Sequence, residues 1–436
     1  MTIFYRTKRC ARFFVDKKQF LLSIFLCLAA QPSLGQSALS LQQAIHKTLA
    51  NNPQLQAYQW RFKAIEGQKQ TADLSPAYEL GINAENAFTT GADSSEYTVS
   101  ISSVIELGGK REARVQAINS RYSLAEAEKK VQSLDLIGEV TDRYIEVLSL
   151  QEKMKVSEQA IELAQNSLSL ARARVDRGAA PKAELYRARS SLAKAKILRD
   201  EYQGKLASAR LALATLWRAE QASFGPASAD LFSFETAPDF ESLYQRVADS
   251  PNIQIFAGET RLKAAELEVA QSQNTSNLSW SLGVKHMDET SDSAITAGVS
   301  MPLFSGKRNQ GELRTARAEL EMVEYNRVNK LLQLRSLLFK AWSSNQQSVA
   351  AANTIKSEVL PDLEEALLLT QQAYESGRYS YLDWTTAQKD LLEARMTLID
   401  TAKRALLSQS LIEQLTATSL SSEYESERPY AATPRN

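Results

Sequence analysis

Apolar and polar positions alternate strictly in four short stretches of this chain. In residues 78–88, Tyr78, Leu80, Ile82 and Ala84 share one parity, while Glu79, Asn83 and Glu85 take the other. Residues 96–107 place Tyr97, Val99, Ile101 and Ile105 opposite Thr98, Ser100 and Ser102. Residues 278–288 repeat the pattern with Leu278, Trp280, Leu282 and Val284, and residues 293–304 with Ile295, Ala297, Val299, Met301 and Leu303. A period of two over about ten residues is the signature of a tilted strand long enough to cross a bilayer. The polar runs "TTGADSSE" and "MDETSDS" close two hairpins.

After each hairpin the period lengthens. Residues 110–176 and 308–375 carry Ala, Leu and Val at helical spacing among dense Glu, Lys, Arg and Gln. Each predicts one helix about 100 Å long at 1.5 Å per residue. Gly178 and Gly377 end these runs, because a glycine past a helix terminus enters the left-handed region without a Cβ clash. Pro181 suits the start of the return helix in the first case, and "YLDWTTAQKDLLEARM" begins it in the second.

The stretches before the hairpins also correspond. "LSLQQAIHKTLANNPQLQAYQW" reads as two helices broken at Asn51-Asn52-Pro53, and "FESLYQRVADSPNIQIFAGETRLKAAELEVAQ" as two broken at Asp249-Ser250-Pro251; the two prolines lie 198 positions apart. The chain therefore reads as two tandem copies of helix, β-hairpin, very long helix and helix. The first copy spans 38–218 and the second 239–418, with a linker at 219–238 and a polar tail, 419–436, too poor in apolar residues to order itself. Gly109-Lys110-Arg111 and Gly306-Lys307-Arg308 mark the same strand-to-helix joint in each copy. The glycines are expected to let the chain turn sharply there. The basic pairs either reach lipid headgroups or first-turn carboxylates, or simply solvate the joint.

Composition narrows the compartment. Residues 1–35 contain Lys8, Arg9, Arg12, Lys17 and Lys18, then the apolar run "FLLSIFLCLAA", then small residues near Gln36. That is a signal peptide by its basic flank and its short apolar core. Both cysteines, Cys10 and Cys27, fall inside it, so the exported chain is expected to hold no disulfide, thiol nucleophile or thiolate metal site. Charge is balanced at 51 basic against 51 acidic residues, which gives no reason to expect a nucleic acid partner. No later stretch has the apolar length of a membrane helix, so any membrane contact of the exported chain must be made by β-structure.

A sheet in lipid must close, because every backbone polar group there needs a partner. Four strands are too few, since the usual minimum is about eight. Several chains must then share one barrel, unless the sheet caps a soluble helical bundle. The narrow apolar stripes of the long helices favour sharing. Such stripes pack side by side as coiled coils and leave a polar face over for a water-filled tube.

This exported two-copy layout resembles the outer-membrane factor family, the TolC-like exit ducts of bacterial efflux and secretion systems. "ELGGKREAR" looks most like the branch serving cobalt-zinc-cadmium efflux. The resemblance covers roughly residues 38–418. It implies a mainly α fold with a membrane β-barrel contribution: a homotrimer with a twelve-stranded barrel in the outer membrane, continued by an α-helical tube in the periplasm. The implied partners are a periplasmic adaptor protein, an inner-membrane pump of the RND type, and outer-membrane lipid. It also implies a gate at the periplasmic end. "AYESGRYSYLDWTTAQ" is similar to the family's gate segment, with Tyr374 tying the closed end and Asp383 facing the aperture; "DRGAAPKAELYRAR" places Glu184 as the acidic partner of the tyrosine. Thr386 stands where some members carry a second aperture carboxylate. By the same resemblance, the turns at Gly178 and at Gly377-Arg378 seat the adaptor.

Catalytic or cofactor chemistry finds little support. Only His46 and His286 are present, on an early helix and near a hairpin tip, without partners at ligand spacing. "GGKR" lacks the spacing of a phosphate loop, and no nucleophile elbow appears. No enzyme, cofactor or bound metal is expected. The leading reading is an outer-membrane efflux duct for heavy-metal cations. Drug efflux, type I protein secretion and a periplasmic scaffold are the alternatives.

Overall fold

The computed structural model describes residues 38–86, 95–234 and 238–418. Residues 1–37, which include the signal segment, the first hairpin tip at 87–94, residues 235–237 and the tail at 419–436 lie outside the described residues. The first copy comprises α1 (Leu41–Asn51), α2 (Pro53–Ala72), β1 (Glu79–Glu85), β2 (Glu96–Ile105), α3 (Lys110–Asp176) and α4 (Lys182–Thr215). The second comprises α5 (Phe240–Ala248), α6 (Pro251–Ser272), β3 (Leu278–Met287), β4 (Asp292–Ser300), α7 (Ser305–Arg308), α8 (Gln310–Thr354), a π-helical turn (Ile355–Val359), α9 (Leu360–Glu375) and α10 (Tyr381–Thr416). Asn52 and Ser250 precede the first-turn prolines of α2 and α6. Asn52 also caps α2, its side chain accepting from the Gln54 amide.

The four strands form one antiparallel sheet in the order β1-β2-β3-β4, so the two copies meet at β2–β3. Register aligns Ile82, Val99, Val284 and Ile295 in one row across the sheet, and Leu80, Ile101, Leu282 and Ala297 in the next. The large side chains of both rows are exposed. The opposite face carries Gly81, Ser100, Gly283 and Thr296, beside Glu79, Ser102, Ser281 and Gly298. Exposed aliphatics on one face and small polar residues on the other suit lipid outside and water inside. Tyr78 and Trp280 meet edge to face, 6.2 Å between centroids, at the helix-proximal end of the apolar face. Amphipathic rings prefer that interfacial level. Among the described residues, neither β1 nor β4 has a second strand partner within the chain.

At the first joint, Gly108 and Gly109 both adopt left-handed backbone, with φ of 80° and 69°. The second joint differs from the expectation. There Phe304 takes the left-handed conformation (φ 62°), and Gly306 lies inside the short helix α7. Lys110 also departs from its expected role. It is buried, and its Nζ donates to Asn277 Oδ1, so this lysine clasps the two copies together and does not reach lipid. Arg111 lies 3.7 Å from Asp73 and 3.8 Å from Glu112, the first-turn carboxylate, and Lys307 sits 6.0 Å from the Phe304 ring centroid. Arg114, which the sequence did not single out, grips Glu106 at 2.6 and 2.8 Å and reaches the Ala72 carbonyl. Its bidentate hydrogen bond holds the Glu106 carboxyl below the usual range, so the pair stays ionised.

The long helix of the first copy is continuous, but its counterpart is broken twice. Asn309 separates α7 from α8 and donates to the Ala270 carbonyl and to Asn274. The π-helical turn ends two residues before Pro361, whose ring lacks an N–H and crowds the carbonyl four residues back, at Ser357 inside that turn; a wider turn relieves the conflict. Each break absorbs one residue. The offset between copies is 197 at Gly109 and Gly306, 198 at Tyr144 and Trp342, and 199 at Gly178 and Gly377.

The main core sits midway along the helices. Leu39, Val140, Tyr144, Leu213, Phe224, Leu231 and Ile399 pack there. Tyr144 Oη donates to the Leu39 carbonyl at 2.8 Å and accepts from the Ser228 amide at 3.0 Å. Trp342 repeats the device in the second copy, donating to the Pro238 carbonyl at 3.1 Å. The inter-copy segment is thus packed into the core, with Gln151 bonding both the N–H and the carbonyl of Ala227.

Candidate functional site at the helix turns

Two helical hairpins, α3–α4 and α9–α10, place their turns together at the end of the molecule remote from the sheet. Both turns use the same backbone solution. Gly178 (φ 72°) and Gly377 (φ 76°) are left-handed. The Ala179 amide returns to the Arg174 carbonyl, and the Arg378 amide to the Ala373 carbonyl, each at 2.8 Å. These bonds satisfy terminal carbonyls that a helix end leaves unpaired.

The turns bring five side chains into one cluster: Arg174 from α3, Glu184 from α4, Tyr374 from α9, and Tyr381 and Trp384 from α10. Tyr374 is 1% exposed. Its ring stacks on Trp384 with centroids 5.0 Å apart, and Tyr381 closes a triangle at 6.0 Å from Tyr374 and 6.4 Å from Trp384. The Arg174 guanidinium lies 4.4 Å from the centroid of Tyr374, while its Nη1 donates to the Tyr374 carbonyl and its Nη2 to the Ala179 carbonyl. Tyr374 Oη donates to Glu184 Oε2 at 2.8 Å. The bond therefore links the first copy's hairpin to the second's within one chain.

Burial raises the Tyr374 phenol well above its ordinary pKa, and the Glu184 carboxylate reinforces the shift. The phenol stays protonated and remains a donor. A hydrogen bond to a charged acceptor contributes about 1.5–3 kcal/mol, and a cation over a partly desolvated ring about 0.5–2 kcal/mol. The arrangement is under-satisfied elsewhere: Arg174 Nε and Trp384 Nε1 are buried without acceptors. Strong links and unmet buried donors therefore coexist in one cluster.

Asp383 lies next to the cluster in an exposed position. Its Oδ2 accepts from the Ser380 amide at 3.0 Å and from the Ser380 hydroxyl at 2.7 Å, while Ser380 Oγ accepts from the Asp383 amide. This capping box starts α10, and the Ser380 side-chain bond holds the carboxyl below its usual range. Arg378 is exposed, with Nε 3.0 Å from Ser376 Oγ. Tyr379 and Leu382 beside it are large exposed apolar residues.

Above the cluster, polar links continue along the α3–α10 seam. Gln388 and Ser167 bond each other in a buried pair. Arg395 bridges Gln159 and Glu364, and Lys153 meets Asp400 at 2.6 Å. Sequence reading missed Arg174, Tyr381 and Trp384. The signal available was the spacing of Tyr374, Tyr381 and Trp384 around a turn glycine, which brings three aromatics onto one face.

His46 lies on α1 and His286 on β3, where its Nδ1 is 3.1 Å from Ser293 Oγ. Among the described residues no group of three or more His, Cys, Asp or Glu side chains is placed to hold a metal ion. No described helix is long and apolar enough to cross a membrane.

Comparison with known proteins places these features. The family model described as outer membrane efflux protein matches residues 44–217 and 245–418, the two copies in turn. The chain is 29% identical over 388 residues to the cobalt-zinc-cadmium resistance protein CzcC of Cupriavidus metallidurans, covering 88% of this chain and 91% of the relative. It is 24% identical over 373 residues to the pyoverdine export outer membrane protein OpmQ of Pseudomonas putida, covering 78% and 76%. Among solved structures, the fold is similar to that of CusC with a TM-score of 0.72 at 16% identity, covering 86% of this chain and 91% of the other.

Proposed function

Because the chain belongs to the outer membrane efflux protein family, we propose that it is the passive exit duct of a tripartite heavy-metal efflux system. Three copies supply a twelve-stranded barrel in the outer membrane and a helical tube beneath it. An inner-membrane pump of the RND type supplies energy and selectivity, and a periplasmic adaptor joins the two. The observation that carries the reading is the sheet: apolar and exposed on one face, small and polar on the other, with β1 and β4 left open for neighbours. Cobalt, zinc or cadmium as cargo is supported by the near full-length likeness to CzcC. A conduit needs only weak contacts with what passes, so the bare histidine inventory agrees with cations in transit.

The turn cluster is the gate in this reading. Tyr374, Glu184 and Arg174 hold the two hairpins together, and Asp383 shapes the start of α10 beside the aperture. The turns at Gly178 and Gly377-Arg378 seat the adaptor, with exposed Tyr379 and Leu382 as added contact area. The likeness to OpmQ keeps export of an organic cargo as the second reading. Deleting the gene decides between them. The deletion is expected to lower tolerance to cobalt, zinc or cadmium salts, with tolerance restored by the intact gene. Unchanged metal tolerance together with lost export of an organic compound would favour the second reading.

A further inference from the structure

The internal repeat shows how one copy of this chain meets the next. Around the tube below the sheet, a short helix alternates with a long one: α2 packs on α3, α3 on α6, and α6 on α8. The α3–α6 contact is where the first copy meets the second. Closing a ring of identical chains repeats that contact with α8 in place of α3 and the next chain's α2 in place of α6.

Burial at equivalent positions supports the substitution. Helix α6 buries Gly258, Leu262 and Ala265. Their counterparts 198 positions earlier on α2 are Trp60, Ala64 and Gly67, and all three are exposed, Trp60 by 69%. On the long helices, Leu134 of α3 is fully buried, whereas Leu332 of α8, again 198 positions on, is 59% exposed. Leu124 packs on Gly258, its Cβ 3.8 Å from where a Cβ would stand at that glycine. Its counterpart is Met322, which is exposed together with Tyr325 and Val328 along the same side of α8. The apolar face of α8 and the Trp60–Ala64–Gly67 face of α2 are therefore the two halves of one contact.

We infer that Met322 and Tyr325 of α8 pack against Trp60, Ala64 and Gly67 on α2 of an adjacent copy of this chain. The inference rests on the proposed assembly of identical copies. The seam differs in chemistry from its template. Leucine on glycine inside the chain becomes methionine on tryptophan between chains, a pairing of polarizable sulfur with an aromatic ring. Ala64 and Gly67 then leave room for Tyr325. The contact that closes the ring is thus bulkier than the one within the chain.

Cysteine pairs test the inference in the full chain, with Cys10 and Cys27 changed to serine. Leu124→Cys with Gly258→Cys is the internal control, since the Cβ separation there is that of a disulfide. Oxidation should close it within single chains. Trp60→Cys with Met322→Cys should instead yield covalent dimers and trimers on denaturing gels. If loss of the indole prevents assembly, Ala64→Cys with Met322→Cys asks the same question with Trp60 retained. Should the control close while both seam pairs leave only single chains, in samples whose native mass is three copies, the seam is wrong and the trimer stands. A native mass of one copy for the unmodified chain would overturn the underlying assembly instead.

Discussion

Changing Tyr374 to Phe together with Glu184 to Gln is expected to raise the mean single-channel conductance severalfold in planar bilayers. Each copy loses the 2.8 Å bond between the phenol and the carboxylate. At about 1.5–3 kcal/mol for a bond to a charged acceptor, the closed arrangement weakens by roughly ten- to a hundredfold per copy. Phe keeps the stack on Trp384, so folding of the turn should survive. Arg174→Ala should act in the same direction, because that residue ties the ring and the Tyr374 carbonyl to the first hairpin. Combined with the double change it should add less than its separate effect, as expected for partners in one network. Conductance indistinguishable from the parent protein would remove these residues from the gate.

Gly108→Ala is expected to abolish recovery of the assembled protein from outer-membrane fractions, while Gly109→Ala leaves most of it. Both positions have left-handed backbone, which costs a residue with a Cβ about 1–2 kcal/mol. Only Gly108 is also crowded: a Cβ there would stand 2.6 Å from the Cβ of Thr275 and 3.2 Å from the Ser272 carbonyl. At Gly109 nothing lies within 4 Å. The clash falls where the first copy's joint meets the connector between α6 and β3, beside the Lys110–Asn277 clasp. Forcing it apart misaligns β2 against β3. Thr275→Gly should therefore restore part of the yield to Gly108→Ala. Normal yield from Gly108→Ala alone would show that the joint tolerates rearrangement.

Much of this architecture is legible in the sequence because two periodicities are written cleanly. Alternation such as Leu80, Ile82 against Gly81, Asn83 has one physical solution, a strand between unlike media. The helix-ending glycines are equally plain, since Gly178 and Gly377 each follow a long apolar-striped run. What the sequence hides is side-chain geometry across long separations. Lys110 reads as a solvated or lipid-facing base and proves to be buried against Asn277, which lies 167 residues away. Gly306 copies the motif of Gly109, yet the left-handed residue is Phe304, so the helix starts two residues earlier, at Ser305, and Asn309 begins the long helix anew. The π-helical turn before Pro361 escapes a periodicity reading, because one wide turn barely disturbs the apolar spacing. The pairing of Tyr374 with Glu184 came from a family resemblance. Arg174, stacked on the same ring, lies among several arginines in "ARARVDRG" that no local pattern distinguishes.

The central claim is that one chain supplies only four of the strands a membrane barrel needs and takes the rest from identical copies. Native mass measurement of the protein extracted from outer-membrane fractions in mild detergent tests it most directly. A single species of three copies, inserting into bilayers as a water-filled channel, is the predicted result. A species of one copy, recovered without detergent and silent in bilayers, would contradict the account.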